Sequence, residues 1–182
     1  MDSSFKPVAD SMVTITELMT PDKANFGGKI HGGHLLSLLD KVAYVCAGKH
    51  SEGYCVTVSV DTVDFLHPIE VGDLLHLHAS INYTGKTSMV VGIKVVAENL
   101  RAKTVRHTNT SYITMVAVDE NGKPRAVSGL QLNSVNEIRR FFEAKSRKEM
   151  NRQFRNQFAE KRQHANNAEQ LKALEKENCQ II

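Results

Sequence analysis

One carboxylate stands where carboxylates are rare. Asp40 lies in HGGHLLSLLDKVAYVCAGKH among Leu35, Leu36, Leu38, Leu39, Val42, Ala43, Val45, Cys46 and Ala47, and an acid in such surroundings needs a partner or a task. Upstream, Gly27, Gly28, Gly32 and Gly33 punctuate a loop. They let backbone come close to a bound group where a helix begins and its first N–H groups lack acceptors. Asn25 adds a side-chain amide. The stretch thus combines donors able to receive negative charge with an acid able to hold or move a proton. Each part also has a structural alternative: Asp40 as an acid bonded to backbone or a partner chain, Asn25 as a turn residue with a left-handed backbone, the glycines as aids to tight packing.

The elements around these residues follow from periodicity. Apolar residues on every side of the segment after Gly33 predict a helix buried in a core, ending near Gly48 with Lys49 and His50 at its negative pole. MVTITELM, residues 12–19, predicts a short strand. YCVTVSVDTVDFLHPI, residues 54–69, predicts a longer one with Val56, Val58, Val60 and Thr62 on a dry face. Leu75, Leu77, Ala79 and Ile81 alternate with His76, His78, Ser80 and Asn82 in a third strand, 74–83. Turns at Thr84–Lys86 and Asn99–Lys103 separate two further strands, 87–98 and 105–119. A strand, a long helix and four strands on short connections argue for an α+β domain whose antiparallel sheet wraps the helix.

The chain of 182 residues is 41% hydrophobic and 24% charged, the size of one domain with an appendage. No apolar run is long enough to span a membrane and the amino terminus resembles no secretory signal, so a cytoplasmic location is expected. Cys46, Cys55 and Cys179 have no metal-type spacing and are expected as reduced thiols. From Ser134 onward eleven Lys and Arg face seven Asp and Glu, so the net charge of +3 belongs to the tail. Ser134 and Glu137 match a capping box. Ile138, Phe141, Phe142, Met150, Phe154 and Phe158 continue as an amphipathic stripe interrupted around Lys145–Glu149, with a further break expected at Asn166 and Asn167.

The succession PDKANFGGKIHGGHLLSLLD resembles the signature of the acyl-CoA thioesterase branch of the hotdog superfamily. There a Pro-Asp-x-x-Asn segment leads through a Gly and an aromatic or His-Gly-Gly turn into a helix bearing an acid. The matching positions here are Pro21, Asp22, Asn25, Gly28, His31, Gly32, Gly33 and Asp40. The resemblance continues through VTVSVDTVDFLHPIEVGDLL, NYTGKTSMVV and SYITMVAVDENGKP, and covers roughly residues 10 to 128.

The resemblance implies a hotdog fold over residues 9–130, a five-stranded antiparallel sheet around the long helix; outside it, residues 134–182 read from their own pattern as a basic amphipathic helical tail. It implies hydrolysis of acyl-CoA to fatty acid and coenzyme A at a dimer interface, with Asn25 of one chain facing Asp40 of the other. Asp40 is then the expected base or nucleophile, and Asn25 holds the carbonyl or the water. His31, Gly32 and Gly33 are expected at the substrate, the two glycine amides receiving the oxyanion. Ser59, Lys86, Thr87, Ser88, Arg101 and Arg106 are expected coenzyme A contacts, the cations, with Lys103, meeting its phosphates. No metal or organic cofactor is expected, and His76 with His78 is two imidazoles without a third ligand. A homodimer is the smallest expected unit and a homohexamer, a trimer of dimers, the expected assembly, with no nucleic-acid partner. Cys179–Ile182 fits a prenylation box, the one route foreseen to a membrane. Two rivals remain: a hydratase or dehydratase on the same fold, and a non-catalytic acyl-CoA sensor.

Overall fold

The alternation read at residues 74–83 is realised in a strand, Asp73–Thr84, whose Leu75, Leu77, Ala79 and Ile81 are sealed in the core. In chain order this computed structural model contains β1 (Phe5–Pro7), β2 (Val13–Leu18), α1 (Gly32–Ser51), β3 (Cys55–Val60), β4 (Asp73–Thr84), β5 (Ser88–Asn99), β6 (Thr104–Ala117), β7 (Gly129–Gln131) and α2 (Val135–Gln163). Residues 4–163, 174 and 177–179 are described. The chain divides into two units, Met1–Ala144 and Lys145–Ile182.

In the first unit the main sheet runs β2-β4-β5-β6-β3, antiparallel throughout, which leaves β2 and β3 as its edges. The fold is α+β, a five-stranded sheet curved around α1, as the sequence predicts. α1 packs Leu35, Leu38, Leu39, Val42, Ala43, Cys46 and Ala47 against the core faces of β4, β5 and β6. Each of its buried leucines contributes about 2 kcal/mol by leaving water. Burial also drives the Cys46 thiol up to about 12, so it stays an inert apolar side chain. All three cysteines are free thiols.

Three expectations need correction: the burial of α1, the length of β3 and its dry face. α1 is not buried on every side: Leu36, Ser37, Asp40, Lys41, Tyr44 and Val45 form an exposed stripe. Their apolar character marks a surface the single chain leaves uncovered, which periodicity cannot tell from a core. β3 stops at Val60, and its register shifts between Thr57 and Ser59. Its expected dry face is open, with Val58 55% and Val60 46% exposed. β1 and β7 pair in parallel as a two-stranded sheet with no counterpart in the sequence reading. α2 is one helix through Lys145–Glu149, where only its apolar stripe lapses, as the sequence predicts.

Ser134 caps α2 as foreseen, accepting from the Glu137 N–H at 3.2 Å, while Glu137 reaches back to the Asn133 N–H at 2.6 Å. In the second unit, Met150, Phe154 and Phe158 are exposed. Asn166, Asn167 and the last three residues of the Cys179 box lie outside the described residues. Among the described residues no helix is long and apolar enough to cross a membrane.

Candidate active site

Asp40 sits in the middle of the exposed stripe of α1, between Leu36 and Tyr44, one helical turn on either side. Its position, not burial within the chain, sets its surroundings. Oδ1 accepts a 2.6 Å hydrogen bond from the Thr57 hydroxyl of β3, while Oδ2 has no partner among the described residues. Thr57 Oγ1 also lies 3.3 Å from Met115 Sδ on β6, which fixes the hydroxyl against the sheet. Thr57 escaped the sequence reading. Its signal was a polar residue in an otherwise Val-rich strand, at a place where an ordinary β-branched strand former raises no question.

The loop before α1 orients Asn25 through its own backbone. Asn25 N–H donates to Lys29 O at 2.7 Å and Gly28 N–H to Asn25 O at 3.0 Å, a tight turn closed by Gly28 at φ +75°. Asn25 Oδ1 accepts from the N–H groups of Gly27 at 2.9 Å and Lys29 at 3.2 Å. Two backbone donors on one atom identify it as the amide oxygen. Nδ2 is therefore the group left to donate, and it has no acceptor among the described residues.

His31 is the N-cap of α1, and its Nδ1 accepts from the Gly33 N–H at 2.9 Å. A ring nitrogen that accepts carries no proton, so a neutral His31 is protonated on Nε2. The Gly33 amide, expected at the oxyanion, is thus already engaged. The Gly32 N–H has no acceptor among the described residues, and the Phe65 ring covers the Gly32 position, where an added Cβ would meet it at 3.5 Å. At the start of the segment, Lys23 and, after it, Thr20 hold the Asp22 carboxyl down to about 2, so this acid braces the turn.

The expected coenzyme A residues do not form one cluster within the chain. Lys86, Thr87 and Ser88 lie at the start of β5, and Arg101 follows its other end, twelve residues away along an extended strand, or about 40 Å. Arg106, on β6 near the Arg101 end, donates to Asp73 Oδ2 at 2.8 Å. Asp73 is fully buried and also accepts from Asn99 Nδ2 at 3.0 Å and the Glu70 N–H at 3.0 Å. Arg106 is thus committed to bracing the turn into β4. Ser59 is half-buried on β3, just past the register shift. His76 bonds Thr16 and Glu98, and His78 bonds Thr14. Among the described residues no group of three potential metal ligands assembles.

A family model described as Thioesterase superfamily matches residues 27–104. The chain is 52% identical over 133 residues to Protein VdlD of Helicobacter pylori, covering 73% of this chain and 76% of that protein. It superposes on an apo hexameric acyl-CoA thioesterase with a TM-score of 0.80 at 39% identity, covering 84% of this chain and 97% of the other. Staphylococcus aureus acyl-CoA hydrolase, in complex with butyryl coenzyme A, coenzyme A and coenzyme A disulfide, is similar with a TM-score of 0.80 at 29% identity, covering 88% and 98%. Structures of that hydrolase also exist with an asparagine, a threonine or an aspartate replaced by alanine.

Proposed function

This chain belongs to the acyl-CoA thioesterases of the hotdog thioesterase superfamily, and we propose that it hydrolyses acyl-CoA to a carboxylic acid and coenzyme A in a site shared by two copies. The observation that carries this proposal is the divided role of Asp40: Oδ1 anchored by Thr57 and Oδ2 open on the exposed stripe. Oδ2 takes a proton from water as its oxygen attacks the thioester carbonyl. The carbonyl oxygen gains the negative charge, which the Gly32 N–H at the α1 amino terminus and Asn25 Nδ2 receive. Collapse re-forms the carbonyl, breaks the C–S bond and returns the proton from Asp40 to the departing thiolate.

One chain alone does not bring these groups to one carbonyl. Gly32 and Asp40 are eight residues apart on α1, about 12 Å along its axis. Leu36, Tyr44 and Val45 flank Asp40, and Val58 and Val60 lie on the adjoining edge strand, all exposed and apolar. A second copy packed there by a two-fold axis covers this patch and pairs edge β3 with its own equivalent. The partner's loop of residues 25–32 then faces Asp40. A trimer of such dimers is the assembly we propose for the full enzyme. The hydratase reading would have to use His31 Nε2 alone, since Nδ1 already accepts the Gly33 N–H.

Free coenzyme A release, followed with a thiol reagent across acetyl, hexanoyl and palmitoyl thioesters, tests this proposal. Asp40→Ala should remain folded and lose about a hundredfold or more in turnover. Native protein that binds acyl-CoA but releases no thiol, or full activity in both Asp40→Ala and Asn25→Ala, would make the chain a sensor.

A further inference from the structure

The second unit carries a surface that hydrolysis does not use. Over residues 145–162, α2 holds seven Lys and Arg against two Glu, a net charge of +5. Its apolar side chains gather on one side. Met150, Phe154 and Phe158 follow at steps of four, which sets them within about 80° of one another around the helix and about 12 Å along it, and they are 58%, 63% and 51% exposed. The Phe154 and Phe158 ring centroids are 5.6 Å apart, and the Arg162 guanidinium lies over the Phe158 ring at 5.6 Å. The apolar stripe is thus continuous at this end and closed by a cation.

The charges are arranged around this stripe. Helical geometry puts Arg155 and Arg162 along one border and Gln153 and Gln157 along the other. Lys161 falls within the width of the stripe, where its aliphatic stem can lie along the apolar face while the ammonium reaches past it. Arg155, Lys161 and Arg162 are exposed. Both glutamates lie toward the side away from the stripe, and Glu149 is already paired with Arg152 at 2.8 Å.

We propose that this part of α2 binds an anionic lipid surface, lying in the plane of the headgroups with Met150, Phe154 and Phe158 toward the acyl chains and Arg155, Lys161 and Arg162 on lipid phosphates. Charge selects this occupant. A second copy of the helix would bring +5 against +5, and the stripe offers a few hundred Å² of apolar surface, against the roughly 800 Å² that each side of a stable protein interface buries. A lipid surface meets both conditions, because its charge attracts the helix and each apolar side chain enters it singly, with no complementary shape required. A nucleic-acid backbone would meet the cations but leave Met150 in water. The surface is independent of the hydrolytic mechanism, since none of its residues belongs to the Asp40 site.

Co-sedimentation of the native full-length protein with vesicles tests the proposal, using phosphatidylcholine alone and phosphatidylcholine mixed equally with phosphatidylglycerol. Binding to the mixed vesicles is expected to be about tenfold or more tighter than to phosphatidylcholine, and to fall as salt rises from about 0.1 M to about 0.5 M. Phe154→Ser with Phe158→Ser, and separately Arg155→Gln with Arg162→Gln, should each weaken it about tenfold or more, while Phe154→Leu with Phe158→Leu retains it. Acyl-CoA hydrolysis should stay at the native rate in all three variants. No binding to the mixed vesicles, or native binding in both the serine and the glutamine variants, overturns the proposal. A smaller assembly of the serine variant on size exclusion would assign the stripe to a second copy, and binding of single-stranded RNA in place of the mixed vesicles would assign the helix to nucleic acid; either result overturns it as well.

Discussion

Thr57 ties the edge strand β3 to the middle of α1 by donating its hydroxyl to Asp40 Oδ1 at 2.6 Å. The bond leaves one carboxylate oxygen fixed and the other open, and so defines the direction in which Asp40 can take a proton. It lies on an exposed face, so its loss should cost catalysis more than stability. Thr57→Val, nearly isosteric, is expected to lower kcat about tenfold or more while shifting Tm by no more than about 3 °C. Thr57→Ser should recover most of the turnover. Steady-state kinetics beside a thermal melt separates the two effects.

The α1 amino terminus should respond unequally to its two glycines. A Cβ at Gly33 would stand 2.8 Å from the His31 ring, whereas one at Gly32 makes ordinary contact with Phe65. Gly33→Ala is therefore expected to displace the cap and destabilise the protein by about 1 kcal/mol or more, the usual scale of a lost N-cap. Gly32→Ala should fold normally. Urea denaturation of both variants checks the order, and equal stabilities would remove His31 from the capping role.

Arg106 is expected to behave as a structural residue. Removing its side chain leaves the buried Asp73 carboxylate without its cation, at a cost of about 3 kcal/mol. Arg106→Gln should accordingly lower the denaturation midpoint while changing KM for acyl-CoA less than Lys86→Gln does. A native midpoint with a raised KM would return Arg106 to the coenzyme A site.

His50 gives the fold an acid-sensitive joint. It is 1% exposed, donates from Nε2 to Ser128 O at 3.0 Å, and leaves Nδ1 buried without a partner among the described residues. Burial, the largest influence, lowers its pKa. The unfolded chain therefore binds a proton at His50 before the native state does. Its contribution to stability is full above pH 6.5 and falls as the pH drops from there through the lowered native value. Urea midpoints between pH 7.5 and 5.5 should decline less steeply in His50→Gln than in the native protein.

Local patterning reached much of this architecture. The alternation of β4 named its core residues correctly because both faces of that strand are decided within one chain. The same logic failed at Asp40, Leu36 and Val45, and at Val58 and Val60. They belong to a surface the single chain leaves uncovered, and periodicity carries no mark of whether a chain buries such a residue within itself. The pairing of β1 with β7 joins segments more than a hundred residues apart through three-residue strands, too short for any period to register. At the site, the glycine loop and the acid were legible by type and spacing. Which amide was free was not, because Gly33 is engaged by a side chain two residues away and Asn25 by its own loop.

The site shared between two copies is tested most directly by subunit complementation. Asn25→Ala and Asp40→Ala chains are each expected to form folded, nearly inactive assemblies. Unfolded together and reassembled at equal amounts, half the dimers pair one of each, and each such dimer holds one intact site. The mixture should then recover about one quarter of native turnover. A mixture no more active than its two parents, with mixed dimers demonstrated by mass spectrometry, would contradict a site in which Asn25 of one chain serves Asp40 of the other.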